Sequence, residues 1–232
     1  MERRHWVGLG GGLVALAGAY GRWLRPWFHR WGASDDEVAR AFPGDSLIPA
    51  PTYQTTLAVT VEAAPRDLWP WLVQLGNGRG GLYSYDALDR LFGVLDANSS
   101  DRILPEFQHL ATEDTIPVGH DPRLYFPVAA VLPEKALVLA GELPPDGAWS
   151  WTLALAPIDA EHTRLVSRNR ARVRPTLSRR LLMLWLEPAA FVMTRKMLLG
   201  IKERAERRRL RAVPRASTPG PQPSAPTPQQ RT

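Results

Sequence analysis

The sequence predicts an α+β domain in which an antiparallel sheet is covered by one long C-terminal helix. Three observations carry that prediction. One alternating strand, Gln54–Ala63, runs into two short helical segments. A block of strand-like runs follows between about Asp114 and Val173, and a helical stretch of roughly Leu177–Arg211 closes the pattern. A strand, a helical excursion, a sheet and a closing helix make a two-layer domain with its core between sheet and helix. A curved sheet gripping a single helix tends to leave a pocket between them, which points to a binder of something apolar.

The first strand reads from Leu57, Val59 and Val61 alternating with Thr56, Ala58, Thr60 and Glu62, the pattern of a half-buried strand. Ala63-Ala64-Pro65 ends it, and Pro65 suits the first turn of a helix. Leu68, Trp71, Leu72 and Leu75 follow at helical spacing until Gly76 stops them. GNGRGGLYSYD (Gly76–Asp86) formally matches G-x-G-x-x-G at Gly76, Gly78 and Gly81. A dinucleotide site needs a preceding strand; here a helix precedes, so the match is read as a turn. A second short helix is expected over Tyr83–Phe92.

Strands are expected near Asp114–Val118, Leu124–Leu132, Lys135–Gly141, Ala148–Pro157 and His162–Arg174. In the last, Arg168, Arg170, Arg172 and Arg174 share one face, read as the solvent side of the sheet. Leu165, Ser167, Asn169, Ala171 and Val173 share the other, interior face. Ser167 and Asn169 thus place polar groups inside, where they need partners. In the final helix, Leu181–Met193 is apolar on nearly every side except Glu187 and is interrupted by Pro188. All-round apolarity means burial on several faces or contact with membrane.

The ends differ in character from this domain. Residues 1–31 hold an uncharged apolar run, Trp6–Tyr20, between Glu2-Arg3-Arg4 and Arg22, Arg25 and Arg30. A transmembrane helix needs ~20 apolar residues; this run has 15, or about 19 if Arg22 snorkels and the span reaches Leu24. A membrane anchor, a signal peptide cut near Ala15-Leu16-Ala17 or Ala17-Gly18-Ala19, and a soluble extension all remain open. If the run spans, the excess of basic residues after it places the domain on the cytoplasmic side; otherwise the chain is cytoplasmic, or exported if the run is a signal peptide. Residues 32–50 read as a linker with a short capped helix at Ser34-Asp35-Asp36-Glu37. The folded domain is expected over 51–211. The Pro-, Ser-, Thr- and Gln-rich tail over 212–232 cannot bury enough surface to fold.

Composition removes several function classes. The absence of Cys excludes disulfides, thiolate metal sites and a Cys nucleophile. No His pair has zinc spacing, and neither a nucleophile elbow nor a phosphate loop is present; no metal and no cofactor is expected. The net charge of +6 arises from Arg195–Arg215, with nine Lys/Arg against two Glu. That stretch lacks interleaved aromatics, so nucleic acid is not an expected partner, while anionic lipid fits it better.

WPWLVQLGNGRGGLYSYD (Trp69–Asp86), SSDRILPEFQHL (Ser99–Leu110) and LEPAAFVMTRKMLLGIKERAE (Leu186–Glu206), with RWGASDDEVARAFPGD (Arg30–Asp45), resemble the START and birch-allergen-like helix-grip superfamily, often labelled SRPBCC, and within it uncharacterised bacterial members related to polyketide cyclase/dehydrase-like proteins. The resemblance implies a cavity between a curved antiparallel sheet and the C-terminal helix, and a sterol, lipid, polyketide or hormone ligand. It carries no catalytic motif, so enzyme activity stays open. The leading expectation is a non-enzymatic binder or carrier of an apolar small molecule or lipid. The alternatives are a cyclase- or dehydratase-like enzyme and an interaction protein using the apolar C-terminal helix. The expected pocket lining is Trp71, Tyr83, Tyr85, Trp151, Asn169, Met193 and Met197, with Arg102 and Glu106 at the rim. Glu187, alone in an apolar helix, is a candidate acid or base, or else faces water or pairs with Arg.

Overall fold

A computed structural model of the chain describes residues 18, 20–119, 121 and 123–212. Strands β1 (Tyr53–Val61), β2 (Thr115–Pro117), β3 (Tyr125–Leu132), β4 (Ala136–Leu143), β5 (Gly147–Pro157) and β6 (Thr163–Arg172) form one antiparallel sheet in the order β1-β6-β5-β4-β3-β2. β2 to β6 are a meander, and β1 returns beside β6 with unbroken register from Tyr53 opposite Ala171 to Val61 opposite Thr163. Five helices accompany it among the described residues: α1 (Arg25–Arg30), α2 (Asp35–Ala39), α3 (Pro65–Val73), α4 (Asp86–Leu91) and α5 (Leu177–Ala212). This is the expected α+β helix-grip architecture, a curved sheet with a long C-terminal helix. α5 continues through Pro188 as one helix.

Alternation in β1, β5 and β6 produces the core. Leu57, Val59, Leu153, Leu155 and Leu165 leave one sheet face and meet Leu68, Trp71 and Leu72 of α3. The second half of α5 closes this layer with Phe191, Met197, Leu198, Ile201 and Ala205. Gly200 is required there: a Cβ at that position would sit 2.2 Å from the Tyr83 carbonyl oxygen. The Gly76–Gly81 segment is the expected turn, closed by reciprocal backbone hydrogen bonds of 3.0 Å between Gly76 and Gly81.

The opposite sheet face departs from expectation. The arginines of β6 do not all face solvent. Arg168 is 2% exposed, because residues 32–50 lie across this face rather than away from it. Arg168 donates to Asp45 Oδ2 at 2.8 Å and to the carbonyls of Glu37, Val38 and Arg40, and its guanidinium stacks 4.6 Å from the Phe42 ring. Arg170 reaches Asp45 at 3.0 Å. Arg164 makes a bidentate pair with Glu37 at 2.8 Å. Phe42 joins Ala58, Ala136, Ala154 and Val166 in a second, smaller core. Arginines at alternate positions on one strand face look like a solvated surface in sequence; here Arg164, Arg168 and Arg170 hold a covering segment through Glu37, Asp45 and its backbone carbonyls. The capping box at Ser34 and Glu37 that starts α2 is as expected.

Of the Trp6–Leu24 run, all but Gly18 and Tyr20–Leu24 lie outside the described residues, as does the tail beyond Ala212. Among the described residues no helix is long and apolar enough to cross a membrane. Tyr20–Leu24 is a π-helical turn leading into α1, and α1 packs on β1 and α5.

Candidate functional site

α1 is fastened to α5 by aromatic rings and one buried carboxylate. Phe28 stacks on Phe191 with centroids 4.7 Å apart, and Trp27 lies 5.1 Å from the same ring. Glu187, 4% exposed, receives Arg25 in bidentate fashion at 2.7 and 2.8 Å. His29 Nε2 is 3.3 Å from Glu187 Oε2. Burial opposes ionisation of Glu187, yet the hydrogen bonds and charge of Arg25, with a smaller share from His29, hold it below the usual carboxylate range. His29 is pushed down from its ordinary value, first by burial and then by the Arg25 charge, against the pull of Glu187; the imidazole is therefore neutral at neutral pH.

A cavity of about 190 Å³ lies beside this cluster, between sheet and helix. Tyr53, Thr55 and Leu57 of β1, Trp149 of β5, and Asn169 and Ala171 of β6 line its sheet side. Glu187, Ala190, Phe191 and Thr194 of α5 line the helix side, and Phe28 and His29 close one end. A second cavity of about 440 Å³ shares Tyr53 and Glu187 with the first and opens outward between Arg179, Arg180, Met183 and Leu184. Together they fall within the ~300–1,000 Å³ of small-molecule pockets. Burial, and after it the negative charge of Glu187, pushes the Tyr53 phenol up to about 12, so it stays protonated and a donor. The side chains of Tyr53, Thr55, Asn169 and Thr194 make no hydrogen bond to other described residues.

The sequence-predicted residues divide among several places. Asn169 lines the first cavity. Trp71 and Tyr83 are deep in the core, edge to face at 5.8 Å; the Tyr83 hydroxyl accepts from Gln74 Nε2 at 2.9 Å. Met197 is core, and half-buried Met193 accepts from Ser84 through its carbonyl at 3.2 Å. Trp151 donates from Nε1 to Ser167 Oγ at 2.9 Å and packs against Phe126. Here the interior Ser167 finds its partner in a side chain. Tyr85 is on the surface under Lys196. Arg102 and Trp71 border a third cavity of about 220 Å³ with Arg204, Arg207 and Arg208. Glu106 is exposed in a 3-10 turn, apart from these cavities. Sequence reasoning missed Phe28, His29 and Tyr53. The first two sat in a segment set aside as an anchor, and a lone carboxylate at Glu187 was the one signal that something basic had to reach it.

No family model and no curated protein matches the chain. Solved structures do. Protein MLL2253 from Mesorhizobium loti is 17% identical, with 67% of this chain and 98% of that one covered and a TM-score of 0.41. The Zhui aromatase/cyclase from Streptomyces sp. R1128 is also 17% identical, over 67% of this chain and 94% of that one, with a TM-score of 0.41. The Aha1 dimer from Colwellia psychrerythraea is 15% identical over 66% and 99%, with a TM-score of 0.36. The chain is similar to these proteins in fold; the sheet order and the α5 packing described above define its architecture.

Proposed function

We propose that the protein binds a small apolar molecule bearing one polar group, without transforming it, in the paired cavities between β1, β6 and α5. The observation that supports this most is the first cavity's lining. Its walls are aromatic and aliphatic, while Tyr53, Thr55, Asn169 and Thr194 bring unpaired polar side chains to the same space. Thr55 is buried and the other three are half-buried, and a ligand's carbonyl or hydroxyl supplies the partner that no described residue gives them. Native mass spectrometry of the full-length chain is expected to show a copurified small molecule, and Ala190→Trp, which fills the cavity from the helix side, is expected to remove it with little change in thermal midpoint. A ligand retained at full occupancy in Ala190→Trp would place it elsewhere.

A second reading, a cyclase- or dehydratase-like enzyme, has one observation in its favour: the neutral His29 imidazole and the ionised Glu187 form a hydrogen-bonded pair on the cavity wall. In that reading His29 takes a proton from an activated carbon acid and Glu187 holds the ring. His29→Asn is then expected to lower turnover of a poly-β-keto model thioester at least a hundredfold while leaving binding intact; turnover by the native protein no faster than in its absence leaves the binder reading alone. The chain is further proposed to sit at a membrane through Trp6–Leu24, with the domain on the cytoplasmic side. Sequence supports that placement through the apolar run and the basic residues after it.

A further inference from the structure

The first half of α5 is apolar and uncovered. Leu177, Leu181, Leu182 and Leu184 are all exposed, and Trp185 is 82% exposed. Such a helix face is expensive in water, and a contiguous apolar patch marks an interaction site. On the neighbouring helix α1, Trp27 rests against Phe191 of α5 and is itself 49% exposed, and Trp23, 71% exposed, lies one turn before it. Indole rings at the edge of an apolar face suit the headgroup level of a bilayer.

The charges left unpaired around the patch have one sign. The side chains of Arg22 and Arg180 have no partner among the described residues, and the Arg179 guanidinium donates only to the carbonyls of Arg174 and Pro144. The acids in this region are already engaged, buried Glu187 by Arg25 and Asp146 by Arg174. A second copy of the chain seated here would oppose arginine to arginine. An anionic surface would not. The uncharged run Trp6–Ala19 also joins the domain at this corner, through Tyr20. The basic end of α5, by contrast, is at the far end: Arg207 lies about 33 Å from Trp185 along the helix. Its side chains are largely taken, with Arg204 on Asp101, Arg207 on Glu203 and Arg209 on Glu161.

We infer that the Trp185 face of α5, with Trp23 and Trp27 and its rim of arginines, is a docking surface for an anionic lipid bilayer. The arginines meet lipid headgroups, the indoles sit at their level, and the larger cavity, which opens between Arg180 and Leu184, faces the lipid. The inference stands whether or not the cavities hold a ligand.

The absence of Cys makes the test direct. Full-length Trp185→Cys and Arg207→Cys are each labelled with a nitroxide and mixed with vesicles of phosphatidylcholine alone or of equimolar phosphatidylserine and phosphatidylcholine. The label at 185 is expected to become shielded from a water-soluble nickel chelate and open to oxygen only with the anionic vesicles, while that at 207 stays in water. Arg179→Glu with Arg180→Glu is expected to lower vesicle partitioning more than tenfold. Three results would overturn the inference: no vesicle binding, vesicle binding with the 185 label still in water, which assigns binding to the N-terminal run alone, or a label shielded without lipid in a dimeric protein, which assigns the face to a second copy.

Discussion

Replacing Arg168 by Met is expected to lower unfolding free energy by about 3–5 kcal/mol, measured as a shift of the urea midpoint at unchanged slope. Arg168 is buried at the centre of the β6 outer face, with Thr56 beside its Nε at 3.2 Å. Its guanidinium ends the carbonyls of Glu37, Val38 and Arg40, where α2 finishes and those groups have no helical partner. Met keeps the volume of the stem but supplies no donor and loses the guanidinium stack on Phe42, so three carbonyls and half of the Asp45 charge compensation are lost together. Buried groups left unpaired cost the full desolvation penalty. Arg170 remains on Asp45, which keeps the loss from being larger. Faster hydrogen exchange confined to residues 32–50 should accompany the change; a loss below about 1 kcal/mol, the scale of an exposed pair, would mean that this segment does not depend on Arg168.

That contact explains where sequence reading stopped. Alternation over Thr56–Glu62 and Leu165–Val173 gave strand positions and inner faces, because the period of two survives whatever lies on either side. The closing helix was legible from length and apolar content. The covered outer face was not. Arginine every second residue looks the same whether water or a covering segment receives it, and the receiving acids, Glu37 and Asp45, are more than 100 positions away in sequence. The predicted lining scattered over several places for a related reason. Trp71, Tyr83 and Met197 were chosen as large or adaptable residues on inward faces, and inward faces are mostly core; side-chain volume does not say where packing falls short. The cavity falls where α1 props α5 against β1, and α1 lies in the stretch that composition had separated from the domain.

The ion cluster at that prop should reverse its pH response when one member is removed. In the native protein the folded-state values of Glu187 and His29 are both depressed. Each therefore contributes stability that is present above its unfolded value and is lost as pH falls through the folded one. His29 loses its share first, below its ordinary value near 6.5, and Glu187 loses its share below about 4.5. Arg25→Met removes the cation that compensates Glu187 while keeping most of the stem. The carboxylate remains 4% exposed, with a neutral imidazole as its remaining side-chain partner. At pH 7 the expected cost is about 2–4 kcal/mol, below the full penalty for breaking a buried pair because Arg25 itself is nearly half exposed. The cluster then favours taking up a proton, on Glu187 or on His29, whose value rises once the Arg25 charge is gone. The two groups titrate as a pair, with a folded-state affinity for that proton above the unfolded one. Stability of the variant should accordingly be highest below about pH 5 to 6 and decline as pH rises to 8, opposite in slope to the native chain over the same window. Thermal midpoints of both proteins across pH 5 to 8 measure the two slopes. Parallel curves would show that Glu187 reaches water once Arg25 is gone, and that α1 is held to α5 by the packing of Trp27 and Phe28 on Phe191.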